Sequence, residues 1–170
     1  MENQPPKRFL KRGGEMDDLA LINLKLAEFA VGKFNQAQRD YLTYLPRCIG
    51  RLRIDIKMMR HLLSEEGASA HNSIEIISVN KNYLHYLRVV SLLIKGGQFH
   101  RLLEINIDWE MAIAISNLSG AQIMRLATLY QGCLADIDLA FFKADFAACI
   151  ASHHATAAIT GQRPRYAAHP

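Results

Sequence analysis

Few side chains in this 170-residue chain have the types and spacing that catalysis or metal binding requires. Its three cysteines, Cys48, Cys133 and Cys149, are odd in number and show no C-x-x-C spacing. They make neither a secreted disulfide framework nor a zinc ribbon. They read as small buried apolar residues, although one of them is free to link two subunits. His153-His154 with Cys149 is the nearest approach to a ligand set. It sits at the edge of the C-terminal segment, with nothing nearby to orient the rings, and a chance grouping is the simpler reading. Glu65-Glu66 lies in a loop without the basic or apolar setting that tunes a carboxylate pair for acid–base work. There is no Ser/His/Asp grouping, Gly-rich phosphate loop or H-E-x-x-H. The expectation is a protein that is not an enzyme, with no cofactor or metal of its own and no small-molecule substrate.

The chemistry that is present is ionic. The formal net charge of +4 is unevenly placed. Residues 1–60 hold twelve Lys/Arg against seven Asp/Glu, and residues 104–145 hold two against six. Arg47, Arg51, Arg53, Lys57 and Arg60 form a basic cluster suited to phosphate contacts. Lys7, Arg8, Lys11 and Arg12 add a basic arm behind Pro5-Pro6. Such asymmetry suits nucleic acid on one side and a basic partner on the other, and it equally suits ordinary solvated faces.

The elements that must position these charges follow from periodicity. Half of the residues are apolar, enough for a core without staples. No run approaches the roughly 20 apolar residues of a membrane span, and the N-terminus lacks an apolar signal core, so a cytoplasmic protein without membrane contact is expected. Helices are predicted over Met16–Val31 and Gln36–Leu45, the second stopped by Pro46. Leu52, Ile54 and Ile56 alternate with Arg51, Arg53 and Asp55, as in a short strand, and Asp55 then caps a helix over Ile56–Leu63. Ser73–Val79 reads as either a strand or the lead-in to a helix. Asn82–Lys95 is a helix with Leu84, Leu87, Val90 or Ser91, and Ile94 inward, ended by Gly96-Gly97. Gln98–Ile105 is a further short helix. Cys133–Ile137 is an extended candidate, and Asp138 caps a helix from Leu139 to about Ala151. One echo crosses the chain: I-D-I-K-M-M-R-H-L-L at 54–63 resembles I-D-L-A-F-F-K-A-D-F at 137–146. Gly32-Lys33-Phe34 and Gly97-Gln98-Phe99 also match. The intervals between these marks are unequal, so a degenerate repeat and a coincidence both stand.

The centre of the reading is I-N-I-D-W-E-M-A-I-A-I-S-N-L-S-G-A-Q-I-M-R-L-A, at 105–127. Asp108 stands at an N-cap position, and Met111, Ala112, Ile115 and Leu118 form the inward face. Ser119 opens a second helix with Gln122 at capping-box spacing, and Ile123, Leu126, Ala127 and Tyr130 continue the apolar face. A helix-turn-helix of this kind would present Gln122 and Arg125 to base edges. Yet one base among Glu104, Asp108 and Glu110 is too little for phosphate anchoring, which weakens direct readout.

This stretch resembles the core of FlhD, the D subunit of the bacterial flagellar master transcriptional activator. The shared residues are the Asn-Ile lead with its acidic capping turn, Glu110-Met111-Ala112, Leu118-Ser119, Gln122 and Arg125-Leu126-Ala127. Cys133 and Asp138 look like the counterparts of a family cysteine and capping aspartate, with one residue of slippage at the cysteine. The likeness covers roughly residues 85–146. The first 80 residues have no counterpart, and the chain is longer than typical members. In this it is similar to divergent D-type subunits carried by conjugative plasmids and integrative elements. The resemblance implies an all-helical homodimer that binds DNA poorly alone. It implies a C-type partner with cysteine-bound zinc, and a hetero-oligomer that bends promoter DNA of transfer or flagellar-type genes.

Together these readings give an all-α fold with one or two short β segments and a helix-turn-helix-like pair, expected to be a homodimer. The expected divisions are a disordered basic arm at 1–15, an N-terminal helical region at 16–72, an FlhD-like domain at 73–151 and a mobile tail at 152–170. DNA-binding candidates are Arg47, Arg51, Arg53, Lys57, Arg60, Gln122 and Arg125. Candidates for the partner or dimer interface are Trp109, Met111, Ile115 and Cys133. A stand-alone DNA-binding regulator and an adaptor without a DNA role are the alternatives.

Overall fold

Ser73 decides the ambiguous stretch. Its hydroxyl accepts the Ile76 N–H at 3.3 Å, so Ile74 begins a helix and no strand forms there. That helix, α4 (Ile74–Lys95), merges the uncertain segment with the expected one and is the axis of the molecule. Tyr83, Leu84, Leu87, Val90, Ser91 and Ile94 are buried at helical spacing, as the periodicity predicts. Burying each of the larger ones contributes about 1.5–3 kcal/mol.

The computed structural model describes residues 18–30, 34–64, 71–137 and 139–160. Before α4 come α1 (Asp18–Ala30), α2 (Gln36–Leu42), β1 (Gly50–Leu52) and α3 (Ile56–Ser64). After it come a 3-10 turn (Phe99–Arg101), α5 (Leu102–Ile105), α6 (Trp109–Ser116), α7 (Gly120–Leu129), β2 (Ala135–Ile137) and α8 (Leu139–Thr160). The fold is therefore mainly helical, with one small sheet among the described residues. Helix α4 packs against α1, α6 and α7, and α3 lies on α7. No helix among the described residues is long and apolar enough to cross a membrane.

Two asparagines hold the strands in place. Asn23 on α1 donates from Nδ2 to the Arg47 carbonyl (3.0 Å), and its Oδ1 accepts from the Ile49 N–H (2.8 Å). Asn80 on α4 donates to the Gly132 carbonyl (2.9 Å) and accepts from the Leu134 N–H (2.7 Å). Both side chains are fully buried, and each satisfies backbone groups that no ladder reaches. The strands then pair antiparallel, Gly50 with Ile137, Arg51 with Asp136 and Leu52 with Ala135. Gly50 is required by this approach: a Cβ there would lie 2.8 Å from Leu26 Cδ1, 3.1 Å from Ala135 Cβ and 3.3 Å from Tyr83 Cε2.

One core joins Leu19–Met59 to Tyr83–Ala135, so the expected division at residue 72 does not separate two cores. A second, smaller cluster seats α8 on α1 and α2. Phe142 meets Ala27, Leu42 and Leu45, with Phe34 edge-on at 4.9 Å.

The expected boundaries shift in three places. The strand lies at Gly50–Leu52, earlier than the Leu52–Ile56 alternation places it, because the Asn23 clamp and β2 fix its register. Helix α2 ends at Leu42, where the chain turns. Helix α8 runs to Thr160 through the first part of the expected mobile tail. Its alanines, among them Ala147, Ala148 and Ala151, supply the propensity. The expected basic arm at 1–15, residues 161–170 and the capping residue Asp138 lie outside the described residues.

Candidate docking groove

Between the β1–α3 connection and the α5–α6 corner lies an open groove of about 950 Å³. One wall carries Arg47, Arg51, Arg53 and Lys57, and the other carries Asp108 and Glu110. Four of the five residues of the basic cluster thus line one groove. Arg60 is exposed on α3 and does not line the groove.

The wall on the far side is shaped by a left-handed residue. Asn106, at φ 49°, ends α5 and turns the chain into the cap of α6. Asn is one of the few side chains that tolerate this conformation. Asp108 Oδ1 then accepts the Met111 N–H at 2.7 Å, the N-cap predicted from the sequence. Glu104 belongs to a different set of contacts. Its carboxylate accepts from the Tyr86 hydroxyl and pairs with Arg101 at 3.5 Å, while its carbonyl accepts the Cys48 N–H at 2.6 Å. Burial, and then the Glu104 contact, push the Tyr86 phenol well above its ordinary range, so the hydroxyl stays a donor. Glu104 therefore joins the floor of the groove to α4, and the acidic character of the wall rests on Asp108 and Glu110.

Beside the groove is an apolar patch that sequence reasoning missed except for Trp109. Leu103, which lines the groove, is 82% exposed, Phe99 is 60% exposed and Trp109 is 44% exposed. The Phe99 and Trp109 rings lie 5.7 Å apart. The signal was present in the sequence. Phe99 and Leu103 are four residues apart and fall outside the inward stripe that Leu102 and Ile105 define.

The candidate reading helix is occupied with its own structure. Gln122 Oε1 accepts the Ser119 N–H at 2.8 Å, and Ser119 Oγ accepts the Gln122 N–H at 3.2 Å, completing the predicted capping box. Arg125 Nε donates to the Leu62 carbonyl at 3.3 Å, joining α7 to α3. Of the interface candidates, Trp109 is on the surface. Met111 and Ile115 are buried core residues, because their face of α6 packs against α4, and Met111 also lines the groove. Cys133 is half-buried against the same core.

The cysteines differ in availability. Burial pushes the Cys48 thiol up to about 12. Burial also raises Cys133 and Cys149 from their ordinary values. None of the three has the depressed pKa of a reactive thiolate. Among the described residues, no group of three His, Cys, Asp or Glu side chains converges as a metal site would need. The side chains of His153 and His154 lie outside the described set.

No family model, curated protein or solved structure matches the chain.

Proposed function

We propose that this chain is a regulatory subunit of the flagellar D type, without catalytic activity, that acts on promoter DNA together with a zinc-bearing C-type partner. The observation that carries the reading is the groove with its flanking Phe99–Leu103–Trp109 patch. Exposed aromatic and aliphatic side chains beside a cleft mark a protein contact more than a phosphate contact. The engagement of Gln122 and Arg125 in internal bonds supports the same reading, since a stand-alone helix-turn-helix needs those side chains for base edges. In this scheme the patch holds the partner and the basic wall adds phosphate contacts to the joint complex. The target genes expected from the resemblance are conjugative transfer or flagellar-type genes.

Gel-shift titration of promoter DNA with the chain alone, the C-type subunit alone and both together tests this. The expected result is a shift that needs both, and that Leu103→Ser weakens tenfold or more. Tight binding by the chain alone, with a steep salt dependence, would instead make it a stand-alone regulator working through Arg51, Arg53, Lys57 and Arg60. Absence of binding in every mixture would leave an adaptor without a DNA role.

A further inference from the structure

We infer that the chain is an internally duplicated unit: two helical halves, related by a pseudo-two-fold axis through the Arg51–Asp136 pair, that exchange their strand–helix arms within one polypeptide. The first half is α1–α2–β1–α3, and the second is α4–α7–β2–α8 with the α5–α6 corner inserted.

The strand register carries the axis. Pairing Gly50 with Ile137 and Leu52 with Ala135 about a central Arg51–Asp136 pair maps β1 onto β2 when the two strands are exchanged. Both strands show the same order of burial, from buried through exposed to partly buried. The same correspondence places Cys48 on Cys133, Arg47 on Gly132 and Ile49 on Leu134. Those flanking residues are the ones clamped by Asn23 and Asn80, carbonyl for carbonyl and N–H for N–H. An asparagine making the same two backbone bonds around a cysteine, once from α1 and once from α4, is a conjunction that general packing rules do not require. Three residues beyond each asparagine stand Leu26 and Tyr83, both fully buried and both against Gly50.

The helices before the strands correspond as well. Helix α2 opens with a reciprocal capping box of Asn35 and Gln38, and α7 opens with one of Ser119 and Gln122. Leu42 and Leu126 then hold the same buried position.

The arms after the strands cross over. Arm α3 leaves the first half and lies on α7 of the second, while arm α8 leaves the second half and lies on α2 of the first. Met59 and Phe142 are the buried anchors at the same place in each arm. Equivalent positions on α7 and α2 reach onto the visiting arm: Arg125 donates to the Leu62 carbonyl, and the Tyr41 hydroxyl donates to Asp145. The sequence echo of 54–63 with 137–146 follows these arms and runs two residues out of step with the strand register, because the link from strand to helix is three residues long after β1 and one after β2.

The consequence is that the two-fold expected between two chains is already satisfied inside one. The α5–α6 corner exists only in the second half, so among the described residues the groove it forms with β1–α3 is present once per chain.

Cysteine pairing tests the connectivity. Arg51 and Asp136 are exposed partners on adjacent strands, and directly opposed residues there approach closely enough for a disulfide. On oxidation, Arg51→Cys/Asp136→Cys is expected to form a bond within one chain. The product keeps the mobility of a single chain on a non-reducing denaturing gel at all protein concentrations, and peptide mass mapping joins positions 51 and 136. A covalent dimer joined through these positions, or a folded variant that forms no 51–136 bond, overturns the inference. A second route needs no cysteine. A protease site placed within 65–70 and cut in the folded protein is expected to leave both fragments co-eluting and unfolding in one transition. Fragments that separate without denaturant overturn it.

Discussion

The clamp around Cys48 and the clamp around Cys133 use the same asparagine bonds, yet they sit in unequal surroundings. Asn80 makes a further contact to the Ala127 carbonyl at 3.4 Å, and its neighbours belong to the α4–α7 core. Asn23 holds only the two backbone groups of its turn, and the half it belongs to is completed by an arm arriving from the other end of the chain. The difference teaches that the second half carries the larger part of the packing, while the first half depends on α8 being docked.

That comparison can be broken at the arms first. Phe142→Ala empties a buried aromatic site and is expected to cost about 3–5 kcal/mol. Met59→Ala, at the equivalent place in the shorter arm, is expected to cost less, about 2–3 kcal/mol. Urea unfolding of both variants checks the order, and equal losses would mean that the two arms are held equally. At the clamps, Asn80→Ala leaves a buried N–H and a carbonyl without partners and is expected to cost about 3 kcal/mol, with Asn23→Ala about 2 kcal/mol. A reversed order in thermal unfolding would shift the centre of stability to the first half.

At the axis, Gly50→Ala forces a methyl against Leu26, Ala135 and Tyr83 and is expected to cost about 1–3 kcal/mol. Adding Ala135→Gly removes the contact at 3.1 Å and is expected to restore part of the loss. A double variant no better than the single one would locate the strain at Leu26 instead. The smallest effect is in alkali. Burial raises the Tyr83 phenol well above its ordinary value of 10.0, so the folded state keeps a proton that the unfolded chain has released. The stabilisation is complete below about pH 10 and declines above it, by up to about 1.4 kcal/mol per pH unit. Leu26, its counterpart, has no such group. Tyr83→Phe is therefore expected to flatten the fall in stability between pH 10 and 11.5, and an unchanged slope would assign it to Tyr41 and Tyr86.

Local signals in the sequence were reliable where the cause is local. Asp55, Asp108 and Ser119 cap the helices assigned to them, because a cap is made within four residues. The inward stripe of α4 followed from periodicity for the same reason. The strand position and the engagement of Arg125 depend on partners tens of residues away, and no local pattern carries that information. Met111 and Ile115 show both sides of this. Their spacing marks them as the inward face of α6, and they are buried, but it does not say that the face meets α4 of the same chain and not a partner. The basic wall was legible as composition, whereas the groove exists only because the α5–α6 corner stands opposite it.

The exchange of arms also sets a timetable for the newborn chain. Gly50 leaves the ribosome about 85 residues ahead of Ala135. At synthesis rates of roughly 5–20 residues per second, β1 therefore waits roughly 4–17 s for β2, and α3 somewhat less for α7. During that interval α1 has α2 and then α4 to pack on, but Leu42 and Leu45 lack Phe142, so β2 and α8 together complete what the first half began.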